Sequence, residues 1–393
     1  MPPRPSIHLL RAHAKRVRRG HPWAYSNEIR MNAETKSLTP GCVVRVIDAG
    51  GEALGCATFN PHSLIAARML SSDPDQAIDQ GFFARRIEAA AALRDRLYDA
   101  PFYRLVHAEA DGLPGLVIDR FGDVFVCQVN TAGMDALATV LLDALGAVFA
   151  PRAVVLRADS AVRALEGLDR RVEVASGALD GAVELREGAL RFLADPVEGQ
   201  KTGWYFDQSE NRAFVARLAP GGRMLDLYSY AGGFAICAAA AGAREVVAVD
   251  RSEAALALGE RAAALNGVRC GFVRADAFTE MQRLAGAGET FEVVAADPPS
   301  FVKSRKEVKP GLRGYRKLAR LAAALVAPGG YLFIASCSYN VAAEAFGEAV
   351  YRGMTDAGRS GRVLRAAGAA PDHPRHPTLP ESDYLKSLVI QLD

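Results

Sequence analysis

The sequence predicts an α/β protein: a Rossmann-like sheet domain over residues 189–393, preceded by a small β-barrel over 1–72 and an α+β domain over 76–188. Three observations lead there. From residue 189 onward short apolar, β-branched runs alternate with helical stretches, the rhythm of a parallel sheet with helices on both faces. Four of those runs end in small or acidic residues, where an open α/β sheet places its ligand crevice. Before residue 72, by contrast, short strand-like pieces are punctuated by Gly41, Gly50-Gly51 and Asn60-Pro61, a pattern of tight turns in a β-rich fold.

In the first stretch the strand candidates are Ile7–Leu10, Val43–Ile47, Ala53–Phe59 and Leu64–Leu70. Ser72-Asp-Pro-Asp75 reads as a linker. From Gln76 to Tyr98, Phe83, Ile87, Ala90, Ala91 and Leu97 recur at helical spacing. Strands are then expected at Tyr103–Ala108, Gly115–Asp119, Val124–Asn130 and Ala153–Arg157, with a helix over Ala132–Ala150. In the last stretch, strands are expected at Leu225–Leu227, Val246–Val249, Gly271–Arg274, Val293–Ala295 and Tyr331–Ala335. Helices such as Ala254–Asn266 and Tyr315–Val326 lie between them, and the tail Tyr384–Leu392 reads as an edge strand.

Composition narrows the function classes. Half of the 393 residues are hydrophobic and 23% are charged, so the chain has material for a real core and is not a disordered segment. The net charge of +2 hides two basic stretches: residues 11–19, with Arg11, Lys15, Arg16, Arg18 and Arg19 and no acid, and Lys303 to Lys317. Local patches on a near-neutral chain point to an RNA contact rather than to general polyanion binding. The six cysteines are scattered without CxxC or Cys/His ligand spacing, which argues against structural zinc and a disulfide framework and suits a reducing cytoplasm. No metal is expected. The most lipophilic stretch, Met134 to Ala150, contains Asp135 and Asp143, so no membrane span is expected.

The strand ends carry the chemistry. Asp226-Leu-Tyr-Ser-Tyr-Ala-Gly-Gly233 closes the first strand, and Gly232-Gly233 lets backbone approach a ligand that a Cβ would exclude. Asp250 ends the second strand, the usual place for an acid that bonds a ribose diol. Asp276 follows the third and would accept from an adenine amino group; alone, it could equally cap a helix. Tyr228 and Arg251 adjoin these acids and are counted with them as cofactor contacts. Neither GxGxxG nor GxxxxGK[ST] is present, so S-adenosylmethionine is favoured over a dinucleotide.

Asp297-Pro298-Pro299 ends an apolar strand; the prolines fix φ and remove donors, leaving carbonyls and a carboxylate for a base edge. Phe301 would stack on that base or belong to the core. Cys337, between Ser336 and Ser338 at the next strand end, is the sharper clue. Carbon 5 of cytosine is a poor nucleophile until a thiolate adds at carbon 6, which gives a thiol at this place a chemical reason. Asp297 would then be, or hold in place, the acid that stabilises charge developing at ring nitrogen 3.

These residues resemble the bacterial 23S ribosomal RNA cytosine-5 methyltransferases of the RlmI type over nearly the whole chain. Gly20-His-Pro-Trp-Ala-Tyr-Ser-Asn-Glu-Ile29 is similar to that family's opening signature, in a PUA domain, an RNA-binding β-barrel. Glu109-Ala-Asp-Gly-Leu-Pro-Gly-Leu-Val-Ile-Asp-Arg-Phe-Gly-Asp123 is similar to its central signature, and Gly199–Arg212 to its entry into the catalytic domain. Asp297-Pro-Pro-Ser-Phe301, Ser336-Cys-Ser338, Asp372-His-Pro374 and Tyr384-Leu-Lys386 complete the set in order. The resemblance implies a class I methyltransferase domain with Cys337 as the attacking residue. It also implies that Gln200–Arg212 closes over the cofactor, with Asp207, Gln208 and Arg212 in contact. Ser209 departs from the bulkier basic residue expected there.

The expected partner is therefore 23S ribosomal RNA or a large-subunit assembly particle, delivered through Arg16, Arg18, Arg19 and their neighbours. His21, Trp23 and Tyr25 are expected in the barrel core rather than stacked on bases. A monomer and a homodimer both stay open. Two other functions compete: methylation of a guanine or adenine nitrogen, which needs no thiol, and a non-catalytic RNA-binding factor that keeps the pocket.

Overall fold

The computed structural model describes residues 4–393. They form two compact units. The first comprises the chain up to Val183 with Asp195–Trp204 and Pro371–Ser382; the second comprises Glu184–Ala194, Tyr205–Ala370 and Asp383–Asp393.

The first unit holds two five-stranded sheets. One contains β1 (Ser6–His8), β2 (Trp23–Ala24), β3 (Cys42–Ile47), β4 (Ala53–Phe59) and β5 (Ala67–Ser71), in the order β1-β3-β4-β5-β2. The β3–β4 hairpin turns where Asp48 Oδ1 accepts from the amides of Gly50 (2.8 Å) and Glu52 (2.9 Å) and Gly51 takes φ +89°. Ile7, Val44, Val46, Ala57 and Phe59 bury one face. The expected Leu64–Leu70 strand begins only at Ala67, because Leu64 is 71% exposed.

The other sheet contains β6 (Phe102–His107), β7 (Leu116–Phe121), β8 (Val124–Val129), β9 (Ala153–Ala158) and β10 (Arg171–Gly177), in the order β10-β9-β8-β7-β6. The helix Gln80–Arg94 starts later than its periodicity suggests, because Asp79 caps it by accepting from the Phe82 amide at 2.9 Å. The expected helix over 132–150 breaks at Leu137 into Ala132–Ala136 and Ala138–Phe149. Strand β10 was not expected; it is exposed along its length, so no buried pattern announced it. A buried carboxylate ties the two sheets: Glu166 accepts from Asn60 (3.0 Å), Ser63 (3.0 Å) and Arg68 (3.2 Å). Trp23 Nε1 donates to Glu109 at 2.8 Å, so the indole is held by structure, but it is half-buried and outside the barrel core where it was expected.

The second unit opens with a hairpin, β11 (Val183–Glu187) and β12 (Leu190–Ala194). Its seven-stranded sheet holds β13 (Arg223–Leu227), β14 (Glu245–Asp250), β15 (Gly271–Arg274), β16 (Phe291–Ala296), β17 (Val326–Ser336), β18 (Gly361–Ala367) and β19 (Lys386–Leu392). The order is β15-β14-β13-β16-β17-β19-β18, parallel through β17 and antiparallel beyond. Period-2 alternation sends Leu225, Leu227, Val294 and Ile334 to one core layer and Met224, Val293, Ala295 and Phe333 to the other. The helix Val308–Leu325 covers the first layer with Tyr315, Leu318 and Ala322.

The tail strand corrects an expectation. It is not the edge: β19 lies between β17 and β18, and β18 forms the edge. The reason is burial, since Val389, Ile390 and Leu392 are buried whereas Val363 of β18 is 58% exposed. Strand order reverses between β13 and β16, so the crevice beyond their carboxyl ends is the topological switch point. Among the described residues, no helix is long and apolar enough to cross a membrane.

Candidate active site

The loop that leaves β13 is strained. Tyr228 (φ +61°) and Tyr230 (φ +51°) are left-handed without being glycine, and Gly232 (φ +73°) begins the helix Gly233–Ala240. Such conformations cost about 1–3 kcal/mol each and persist only when their surroundings hold them. Here Asp250 does so: one carboxylate oxygen accepts from the Tyr230 amide (2.9 Å), the other from the Ser252 amide (2.8 Å). Asp226 supports the loop from below, accepting from the Ala235 amide at 3.0 Å. It is 1% exposed, and burial, with repulsion from Asp297 and Asp250, pushes its carboxyl up to about 8.

Two buried hydroxyls in this loop, Tyr228 Oη and Ser229 Oγ, have no hydrogen-bond partner. Orphaned polar atoms in a loop held by Asp250 and Asp226 fit a polar nucleoside ligand such as S-adenosylmethionine. Asp276 is exposed and caps the helix Ala277–Gly286, accepting from the Thr279 amide at 3.1 Å. Arg251 is exposed.

The segment after residue 204 reaches the β16 end. Gln208 is buried; its Nε2 donates to Asp297 at 2.9 Å, and its Oε1 accepts from Asn211 at 2.7 Å. Buried Asp207 accepts from the Tyr384 hydroxyl at 2.6 Å. Arg212 is committed to structure: it pairs with Glu187, donates to the Tyr205 carbonyl at 2.9 Å and lies beneath Gly233. A Cβ at Gly233 would come within 2.9 Å of Arg212 Cδ. Tyr205 was not foreseen as a site residue. It is half-buried, and burial, with the negative charges of Tyr230, Asp297, Asp207 and Cys337, pushes its phenol far above the ordinary range.

Cys337 follows β17, beside the β16 end that carries Asp297. Its neighbours anchor it. Buried Ser336 donates to the Tyr315 hydroxyl at 2.8 Å, and Ser338 shares a 2.8 Å hydrogen bond with the same hydroxyl. Those serines therefore face the Tyr315 layer. Alternation turns Cys337, which is part-exposed, to the opposite layer with Phe333 and Ala335. Lys386, quoted in a motif but given no role by sequence, pairs with Ser336 across the sheet and donates to the Ser338 carbonyl at 2.8 Å. Pro298 is buried and Pro299 exposed. Phe301 packs on Tyr315, with ring centroids 4.8 Å apart, so it is held in the core layer.

The basic stretches differ in what they present. On the first unit, Arg16 pairs with Glu28 at 2.5 Å, and Arg18 pairs with Asp48 and Glu52, so both charges are balanced locally. Arg11, Lys15 and Arg19 are exposed. On the second unit, Lys303, Arg305, Lys306, Lys309 and Arg313 are exposed at the start of the Val308–Leu325 helix, directly after Asp297-Pro-Pro.

Comparison with known proteins agrees with this geometry. Residues 7–72 match a model of the PUA-like domain, and residues 152–371 match a model of the S-adenosylmethionine-dependent methyltransferases. A ribosomal RNA large subunit methyltransferase I from Cronobacter sakazakii is 36% identical over 392 residues, covering 98% of each chain. One from Aeromonas hydrophila is 36% identical over 396 residues, covering 98% of this chain and 99% of its own. A solved SAM-dependent methyltransferase candidate from Streptococcus mutans shares the fold, with TM-score 0.82 at 19% identity over 98% of this chain and 100% of that one. With a switch-point crevice, a strained nucleoside loop and kinship along its whole length, the chain belongs to the ribosomal RNA large subunit methyltransferase I family of S-adenosylmethionine-dependent methyltransferases.

Proposed function

We propose that the protein methylates carbon 5 of a cytosine in 23S ribosomal RNA, with Cys337 as the covalent nucleophile. The observation that carries this reading is the placement of a part-exposed thiol at the end of β17, beside the strand end that presents Asp297. The named activity of the relatives supports a large-subunit RNA substrate.

S-adenosylmethionine, when bound, supplies an electrophilic methyl group. Asp226, Asp250 and Asp276 would hold it, with Tyr228 and Ser229 offering hydroxyls and Gly232-Gly233 a close backbone approach. Asp207 and Gln208 act from the 205–212 segment, and Arg212 positions the Gly233 helix start through Glu187. A positive ligand beside Asp226 would favour its ionised form.

The Cys337 sulfur, as thiolate, bonds to carbon 6 of the cytosine, and the ring electrons move to carbon 5. Asp297, fixed by Gln208 and in its protonated form, donates its proton to nitrogen 3 while carbon 5 takes the methyl group, and recovers that proton when the adduct breaks. Loss of the carbon-5 proton to a base then breaks the sulfur–carbon bond and regenerates the thiolate. Exposed Arg11, Lys15 and Arg19, and the basic start of the Val308–Leu325 helix, would meet RNA phosphates.

The test is Cys337→Ala, assayed with 23S RNA and labelled cofactor. Turnover is expected to vanish while calorimetric cofactor affinity changes little. Substantial residual methylation would instead favour transfer to a base nitrogen. RNA carrying 5-fluorocytidine has no carbon-5 proton to lose, so a protein–RNA adduct on Cys337 is expected to accumulate.

A further inference from the structure

We propose that the Tyr315 hydroxyl is a positioning group for the reaction: it ties the loop that follows Asp297 to the turn that carries Cys337. This rests on Asp297 and Cys337 acting as proposed above, and it assigns the residue that sets their relative placement. The need arises from the sheet. Ladder pairing between β16 and β17 ends at Ala296 and Ile334, so both groups lie beyond the last paired residues, where strand register no longer fixes them.

Four hydroxyls span that gap. Ser300 and Ser338 share a hydrogen bond of 2.8 Å, Ser338 and Tyr315 share another of 2.8 Å, and Ser336 donates to Tyr315 at 2.8 Å. Each hydroxyl has one proton to give, and this fixes the direction of the chain. Ser300 gives its proton to the Val302 carbonyl at 3.0 Å, so Ser338 donates to Ser300 and Tyr315 donates to Ser338. The chain thus runs from Ser336 through Tyr315, Ser338 and Ser300 to a backbone carbonyl, with every proton used. Such chains strengthen cooperatively, and removing a member leaves buried polar atoms unpaired. Ser336 and Ser338 flank Cys337, and Ser300 stands three residues after Asp297.

Tyr315 is built to be the fixed node. It is fully buried, and its ring packs on Phe301 and Phe346 with centroids 4.8 and 5.3 Å apart. Its helix lies directly on the loop after Asp297, since a Cβ at Gly311 would come within 2.8 Å of the Phe301 carbonyl oxygen. The serines face the Tyr315 layer and Cys337 the opposite one, so the network holds the nucleophile from behind and leaves its side of the crevice open.

Tyr315→Phe tests this, because it keeps the ring and removes only the oxygen. Full-length wild type and variant are compared in single-turnover methyl transfer at saturating RNA and cofactor, and in the rate of adduct formation on RNA carrying 5-fluorocytidine. Both rates are expected to fall about tenfold or more, towards the hundredfold that a misplacement of about 1 Å can cause, while KM for RNA and cofactor changes less than about twofold. Ser338→Ala breaks the same chain and should match it, and the double variant should be no slower than the slower single one. Ser300→Ala cuts only the link between the loops, at a part-buried position, and keeps the proposal testable if Tyr315→Phe folds poorly; it too should slow both rates about tenfold. Rates within about twofold of wild type in folded Tyr315→Phe or Ser300→Ala, a loss carried by KM alone, or additive losses in the double variant would overturn the proposal. Failure of the nucleophile reading shows separately, as methylation persisting in Cys337→Ala.

Discussion

Asp226→Asn should make the protein more stable and less able to bind its cofactor, and the gain in stability should depend on pH. The side chain is 1% exposed and sits with Asp297 and Asp250 nearby, so its carboxyl is pushed from 3.8 up to about 8. Because the folded state holds this proton more tightly than the unfolded chain does, stability falls as pH rises between those two values. Each pH step costs about 1.4 kcal/mol, so roughly 5–6 kcal/mol is lost by pH 8, an upper figure that relaxation of the site reduces. Asparagine keeps the shape and can still accept from the Ala235 amide, but it never ionises. Without cofactor, urea midpoints of wild type and variant should nearly coincide below about pH 4, separate steadily up to about pH 8 and hold that separation at pH 9. Cofactor affinity, read by calorimetry at pH 8, should fall at least tenfold. A stability difference independent of pH, or a variant less stable than wild type at pH 9, would refute this account of Asp226.

Two further outcomes follow from packing and charge. Gly133→Ala would drive a methyl group into the Thr58 side chain, where the Ala132–Ala136 helix meets β4, and overpacking of that kind costs about 1–3 kcal/mol. Differential scanning calorimetry should show the transition lowered by several degrees, and an unchanged midpoint would contradict the close packing. Replacing Lys303, Arg305, Lys306 and Lys309 by alanine should leave the fold and cofactor binding intact, since all four are exposed. If they meet phosphates, the slope of log affinity against log salt for a 23S fragment should fall by roughly 3, at about 0.7–0.9 for each phosphate that is no longer neutralised; an equal slope would place the RNA elsewhere.

Much of this protein was legible in its residues because local rules decide local structure. The runs ending at Leu227, Asp250, Ala296 and Ser336 are β-branched and apolar because they lie inside the sheet with both faces covered, and their ends, like that of the edge strand closing at Arg274, were read within a few residues. The acids and the cysteine that close those runs follow from chain order alone, since parallel strands present all their carboxyl ends on one side. What chain order does not carry is who meets whom across space. That β19 lies inside β18, that Arg16 and Arg18 are balanced by Glu28, Asp48 and Glu52, and that Arg212 is held by Glu187 are all long-range pairings. Tyr205 and Lys386 escaped notice for the same reason: a tyrosine in a lead-in loop and a lysine at a strand start have no local signature of a site. Only tertiary packing gathers Asp297, Asp207 and Cys337 around Tyr205 and brings the Lys386 amine to the Ser338 carbonyl. Sequence thus determined which chemistry was available at the strand ends, and tertiary packing decided which charges remained there to use it.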